Sequence, residues 1–80
     1  MQIYLNKERR AKLLEVASSI DRLSGIIERI NDKEQDCMDK YPDNLRGTDA
    51  YEQMEGAVDA LYDCVDHLSN AKDCVLQATG

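Results

Sequence analysis

Tryptophan and phenylalanine are absent from the chain, and its 80 residues include only one proline and four glycines. No apolar run approaches the roughly 18 residues that a membrane-spanning helix needs. Three cysteines without metal-type spacing do not predict the disulfide framework of a secreted protein, so a cytoplasmic location is expected. A chain this short, poor in glycine and in β-branched runs, forms one small domain and not an α/β enzyme.

Positive charge is scarce and unevenly placed. Sixteen acidic side chains against ten basic ones leave a formal net charge of −6. Residues 1–30 hold six basic and four acidic groups, a net +2, whereas residues 31–80 hold four and twelve, a net −8. The acidic second half repels a phosphate backbone, so duplex DNA or RNA is not an expected partner.

The first half of the chain carries a helical repeat. Apolar side chains recur at alternating steps of three and four residues, which predicts the a/d seam of a coiled-coil helix. Asn6 is expected to cap this helix and Pro42 to end it, so helix 1 is predicted over residues 7–40. The predicted seam residues are Leu13, Val16, Ile20, Leu23, Ile27, Ile30, Glu34, Cys37 and Tyr41.

A second helix with the same repeat follows a loop predicted at residues 41–48. Asp49 and Glu52 form a D-x-x-E start signal, with Thr48 as the competing cap one residue earlier. Helix 2 is predicted over residues 49–78. Its predicted seam contains Tyr51, Met54, Val58, Leu61, Val65, Leu68, Lys72 and Val75.

Two long helices joined by a short loop lie antiparallel. The predicted fold class is therefore all-α, an antiparallel two-helix hairpin that resembles a coiled coil. Tyr41 and Tyr51 are expected to pack on each other at the tip of the hairpin. This register pairs Ile30 with Leu61, Leu23 with Leu68 and Val16 with Val75.

A two-helix hairpin is too thin to bury both sides of its seam and rarely stands alone. We therefore predict self-association into a four-helix bundle or a larger helical oligomer, driven by apolar burial. Glu34 and Lys72 occupy seam positions, where polar residues set register or oligomer order. The apolar residues left off the seam form the predicted oligomer or partner interface: Leu14, Ile26, Met38, Tyr62 and Leu76.

Two further stripes recur every seven residues along helix 2. Small residues beside the seam favour the close approach of a neighbouring helix: Ala50, Ala57, Cys64, Ala71 and Ala78. An acidic stripe on the outer side is typical of a solvated face and, alternatively, of a surface for a basic partner: Glu52, Asp59, Asp66 and Asp73.

Residues that carry chemistry are few. Cys37 lies too far from Cys64 in the hairpin for a disulfide, while Cys74 points outward and leaves a bridge between protomers open. His67 with Asp63 and Cys64 finds no further ligand on helix 1, so no metal site is predicted. Phosphate-binding loops and oriented nucleophiles are also missing. The sequence predicts no catalytic residue, no cofactor and no enzymatic activity.

One basic cluster favours an anion. Arg9, Arg10 and Lys12 supply charge for a phosphate, and the ring of Tyr4 supplies a surface on which a base stacks. A second chain would complete this pocket in a symmetric oligomer. The alternative interpretation is the solvated start of a helix.

The segment from Pro42 to Leu61 combines a P-x-x-L turn with a Y-E-x-M-E-x-A-x-D-x-L helix start, and the basic run from Lys7 to Arg10 precedes it. This pattern resembles a family of short acidic helical hairpins from Gram-positive gut bacteria and their phages or mobile elements. Where that family is richer in Glu and Ala, this chain has Tyr62, Cys64 and His67. The resemblance implies a cytoplasmic protein of mobile-element origin, and it carries no activity and no site residues.

The expected function is that of a non-enzymatic, oligomeric protein-binding module, for example a phage inhibitor of a host defence protein. The alternative is an oligomeric sponge that sequesters a small anionic signalling nucleotide at chain-to-chain junctions. That scheme resembles certain phage proteins in architecture only. The expected partners are therefore copies of this chain and another protein, or a nucleotide, but not a membrane.

Overall fold

The computed structural model describes residues 6–80 as two long α-helices joined by a short 3₁₀ turn. Helix α1 spans Lys7–Asp39, the 3₁₀ turn spans Asp43–Leu45, and helix α2 spans Asp49–Thr79. Residues 6–80 contain no β-strand, and neither helix has the length and hydropathy of a membrane span. The predicted all-α class and the packing of the two helices against each other are confirmed. Both helices start at the predicted residues, α1 ends one residue earlier than predicted and α2 ends one residue later.

Each helix begins at a side-chain cap that satisfies a backbone N–H of the first turn. Asn6 Oδ1 accepts a hydrogen bond from the Arg9 N–H at 2.9 Å. At the start of α2, Thr48 Oγ1 accepts from the Tyr51 N–H at 3.5 Å. Thr48 is thus the cap, and Asp49 is the first helical residue, where its carboxylate interacts favourably with the helix dipole.

The tip of the hairpin is held by Arg46 and by a pair of tyrosines. Arg46 donates to the carbonyls of Tyr41 at 3.4 Å and of Asp39 at 3.3 Å, and its Nε lies 3.5 Å from Asp43 Oδ1. These bonds satisfy carbonyls at the end of α1. The rings of Tyr41 and Tyr51 lie 5.4 Å apart between centroids, with their planes at 48°. The predicted contact between the tyrosines is confirmed, and it sets the antiparallel register.

The hairpin is long and thin. Its extents are 66 × 18 × 12 Å and its radius of gyration is 18.4 Å, whereas a compact chain of this length has about 12 Å. Among residues 6–80, the buried apolar side chains are Ala17 and Val58. One layer of two helices has no third element to cover it, and among residues 6–80 eight large apolar side chains are between 38% and 54% exposed.

The two helices differ in how well they follow the predicted seam. On α2 the prediction is confirmed, because Val58 is buried and the other seam residues are half-buried. On α1 the prediction is wrong for four of the nine residues: Val16, Leu23 and Ile30 are 44%, 46% and 49% exposed, and Cys37 is exposed as well. Buried or half-buried residues one position further along the chain take their places: Ala17, Ser24, Asn31 and Met38.

These residues differ from the predicted ones because α1 is rotated about its own axis relative to the orientation that the predicted seam implies. Leu13, Ile20 and Ile27 stay half-buried in either arrangement, so they do not decide which neighbouring stripe faces α2. Small side chains such as Ala17 and Ser24 allow the two helix backbones to approach closely. Counting along both helices from Tyr41 opposite Tyr51 places Asn31 level with Leu61, Ser24 with Leu68 and Ala17 with Val75, so each predicted pair was one residue off on α1.

Candidate interaction surfaces

The rotation of α1 gives the hairpin two chemically different sides. In an antiparallel pair of helices, the g positions of both helices flank one side of the seam and the e positions flank the other. Ala17 and Val58, both buried, occupy a positions. The residues at g, which we call the aliphatic side, are Val16, Leu23, Ile30 and Cys37 of α1 with Ala57, Cys64, Ala71 and Ala78 of α2.

The aliphatic side has no charged residue among these eight. Large side chains project from α1, whereas α2 contributes alanines and one half-buried cysteine. Ile26, three residues from Leu23 and four from Ile30, is 38% exposed and widens the apolar surface. At its end nearest the start of α1 lies a concavity of about 320 Å³, whose exposed wall atoms are apolar and belong to Arg9, Lys12, Leu13 and Val16.

The e positions form the opposite side, which we call the acidic side. It combines carboxylates with three exposed apolar residues, and the predicted acidic stripe of α2 runs along its border with all four members exposed. The e residues are Leu14, Asp21, Glu28 and Gln35 of α1 with Glu55, Tyr62, Ser69 and Leu76 of α2.

An ion pair crosses the seam on the acidic side. Lys72 Nζ lies 2.8 Å from both carboxylate oxygens of Asp21, and the two side chains are 32% and 61% exposed. Lys72, predicted as a polar seam residue, therefore links α2 to α1 through a carboxylate outside the predicted seam. The register places residues 20 and 21 level with residue 72, so this pair follows from the sequence once the register and the orientation of both helices are known. The pair borders a concavity of about 250 Å³ lined by Ile20, Asp21, Ser24, Glu28, Val65, Ser69, Lys72 and Asp73.

The predicted interface residues do not form one surface. Leu14, Tyr62 and Leu76 are exposed on the acidic side, whereas Ile26 is exposed beside the aliphatic side. Met38 is half-buried at an inner position, because the rotation of α1 turns it toward α2. The structure thus separates the set into two groups and places Met38 in the seam.

The aliphatic residues of α1 are the surface that the sequence reasoning missed. Val16, Leu23 and Ile30 were assigned to the seam because they continue the alternating steps of three and four residues through Leu13, Ile20 and Ile27. The signal that identifies them is the width of the pattern. Between Leu13 and Met38, all residues at three positions per heptad (a, d and g) except Asn31 and Glu34 are apolar or small, and such a wide face is typical of a helix that packs on more than one neighbour.

The predicted anion cluster is only partly assembled. Tyr4 lies outside the described residues. Arg9 and Lys12 are exposed and share the concavity at the end of the aliphatic side, whereas Arg10 is half-buried toward the seam. The exposed wall of that concavity is apolar, so its chemistry fits a hydrocarbon surface better than a phosphate.

The cysteines and the histidine are dispersed along the hairpin. Cys37, Cys64 and Cys74 are free thiols, of which Cys64 is half-buried and the other two are exposed. His67 is exposed on α2. Among residues 6–80, no three His, Cys, Asp or Glu side chains form a group that could hold a metal ion.

Comparison with known proteins adds no relative. The chain matches no protein-family model, no curated protein and no solved structure. No family's activity therefore transfers to the aliphatic or the acidic side, and their chemistry is the basis for assigning them a role.

Proposed function

We propose that the chain is a non-enzymatic, self-associating helical hairpin that acts by binding another protein. The observation that supports this proposal is the apolar surface that the packing of the two helices leaves exposed: eight large apolar side chains are between 38% and 54% exposed. Single exposed apolar residues are ordinary on a soluble protein, but rows of them at helical spacing are typical of interaction surfaces.

The acidic side is the surface we assign to the protein partner. Tyr62, 54% exposed between Asp59 and Asp66 of the acidic stripe, offers an aromatic anchor inside a field of negative charge. Aromatic anchors contribute much of the affinity of protein interfaces, and complementary charge contributes specificity and association rate. A partner with a basic surface and an apolar pocket fits this arrangement.

The test is capture of a partner by the immobilised full chain and by two matched variants. A variant with Asp59→Asn, Tyr62→Ser and Asp66→Asn removes the anchor and its flanking charges. The control, Asp63→Asn, removes an exposed carboxylate at an outer position of the same helix. We expect the wild type and the control to retain the same protein, and both to retain less of it at high salt. The triple variant should not retain it.

Two results would contradict the assignment. One is that the wild type reproducibly retains no protein. The other is that the triple variant retains the partner as well as the wild type does, which would remove the acidic side from the interface.

The nucleotide sponge stays a prediction, and calorimetry separates it from protein binding. Cyclic and linear nucleotides are titrated into the wild type and into an Arg9→Ser, Lys12→Ser variant. Heat with the wild type that disappears in the variant would favour the sponge. No heat with any nucleotide would exclude it.

A further inference from the structure

We infer that the aliphatic side is a homodimer interface, on which a second copy of this chain packs to complete a four-helix bundle. The inference rests on the self-association in the proposed function and adds the surface that carries it. The acidic side of each copy then stays free for the protein partner.

The burial pattern of α1 is inverted for a hairpin that stands alone. Ala17 is buried beside an exposed Val16, and Asn31, only 4% exposed, lies next to Ile30, which is 49% exposed. Apolar burial is favourable in proportion to the area removed from water. A self-sufficient hairpin would bury the larger aliphatic residue of each pair, so the observed orientation keeps these residues for a second contact.

The exposed area matches what a dimer needs. The 80-residue chain as a whole exposes 6227 Å², whereas a compact monomer of 9.1 kDa exposes about 4,900 Å². The excess is therefore about 1,300 Å² per chain. The stripe from Val16 to Cys37 is about 32 Å long, and across a hairpin 18 Å wide it offers about 600 Å² per copy. Two copies would bury about 1,200 Å², the lower end of stable protein interfaces.

The shape and charge of the aliphatic side fit a second copy. Its large residues are on α1 and its small ones on α2, so a two-fold axis parallel to the hairpin lays the large stripe of each copy on the small stripe of the other. Uncharged g positions bring no repulsion between identical chains. Two acidic sides would repel each other, since the chain carries a net charge of −6.

The decisive variant adds a charge to the small stripe without removing a buried group. Ala71 is exposed in the hairpin, so Ala71→Glu leaves α2 intact in a monomer but places an unpaired charge inside the proposed interface. The matched control is Asn70→Glu, the neighbouring exposed residue at an outer position. Light scattering and sedimentation give the mass over a wide range of protein concentration, and circular dichroism gives the helix content.

We expect the wild type and Asn70→Glu to have twice the mass of the chain. Ala71→Glu should keep its helix content, while its dimer dissociation constant rises about tenfold or more. A dimeric Ala71→Glu with unchanged affinity would overturn the interface. A monomeric wild type would overturn both the interface and the proposed self-association. A dimer broken by Tyr62→Glu, and not by Ala71→Glu, would overturn the interface alone.

Thiol labelling of the wild type provides a test that needs no substitution. Cys37, on the aliphatic side, and Cys74, at an outer position of α2, are both exposed in the hairpin. We expect the labelling rate of Cys37 to fall as protein concentration drives dimer formation, and to fall more than the rate of Cys74, which lies three residues from Ala71 at the edge of the aliphatic side. A Cys37 labelling rate that is the same at concentrations where the mass is monomeric and where it is dimeric would overturn the proposal, even if Ala71→Glu fails to fold.

Discussion

Replacing Asn31 with leucine should make the hairpin more stable. Asn31 is 4% exposed in the seam, and its Oδ1 accepts no hydrogen bond from any residue between 6 and 80. A buried acceptor without a partner costs about 1–3 kcal/mol, because it has lost its hydrogen bonds to water. Leucine has the same number of side-chain heavy atoms and the same branching as asparagine, although its methyl groups are bulkier, so it places apolar groups where the amide lies.

The expected gain follows from removing this cost and adding apolar burial. Asn31→Leu should raise the free energy of unfolding by about 1–3 kcal/mol. For a domain of this size, each kcal/mol raises Tm by about 4–8 °C, so we expect an increase of about 4–24 °C. Thermal and urea unfolding followed by circular dichroism measure it, at equal protein concentrations because association stabilises the folded state.

Asn70→Leu is the matched control, since Asn70 is exposed at an outer position of α2. Its effect should stay within about 0.5 kcal/mol. If Asn31→Leu leaves Tm unchanged or lowers it, the Asn31 amide is not an unsatisfied group in the folded protein and the reasoning fails. We also expect the variant to populate additional oligomers, because a buried asparagine at an a position restricts register and oligomer order.

Three further substitutions test contacts within the hairpin, each by thermal unfolding against the wild type. Thr48→Ala removes the cap of α2 and should cost about 1 kcal/mol, and no loss would argue against Thr48 as the cap. Lys72→Met breaks the pair with Asp21, and since both side chains are partly exposed the cost should be about 0–1 kcal/mol and should shrink in high salt. A cost that does not change with salt would show that packing dominates at this position. Tyr51→Leu loses the ring contact with Tyr41 and should lower the free energy of unfolding by about 0.5–1.5 kcal/mol. The near-ultraviolet circular dichroism signal of the tyrosine pair should disappear as well, and an unchanged spectrum would contradict the contact.

The helices and their ends are largely readable from the sequence because they depend on nearby residues. Asn6 and Thr48 supply oxygens for the first-turn N–H groups, and Pro42 disfavours helical angles in the residue before it. The tyrosines on either side of the turn indicate the register, since a short loop brings its flanking residues together. The choice between Thr48 and Asp49 as cap stayed open, because both residue types satisfy the same N–H group.

The candidate surfaces are less predictable, because each depends on which way a helix is turned. Leu14, Tyr62 and Leu76 are exposed whichever neighbouring stripe of α1 faces α2, and their exposure follows from the repeat alone. Met38 changes role with a rotation of one residue position. Predicting the pair of Lys72 and Asp21 likewise requires the axial register of the two helices and the orientation of each about its own axis.

The sequence alone determined that the chain forms two amphipathic helices, where they begin and end, and that they fold back antiparallel, because caps, proline and periodicity act over a few residues. Only the tertiary structure decided that Ala17 and Asn31 face α2 while Val16 and Ile30 face outward. Two adjacent stripes on α1 share Leu13, Ile20 and Ile27, so hydrophobic periodicity does not distinguish them. Packing against α2 does, since it buries the small side chain of Ala17 in the seam and leaves the larger Val16 on the outside.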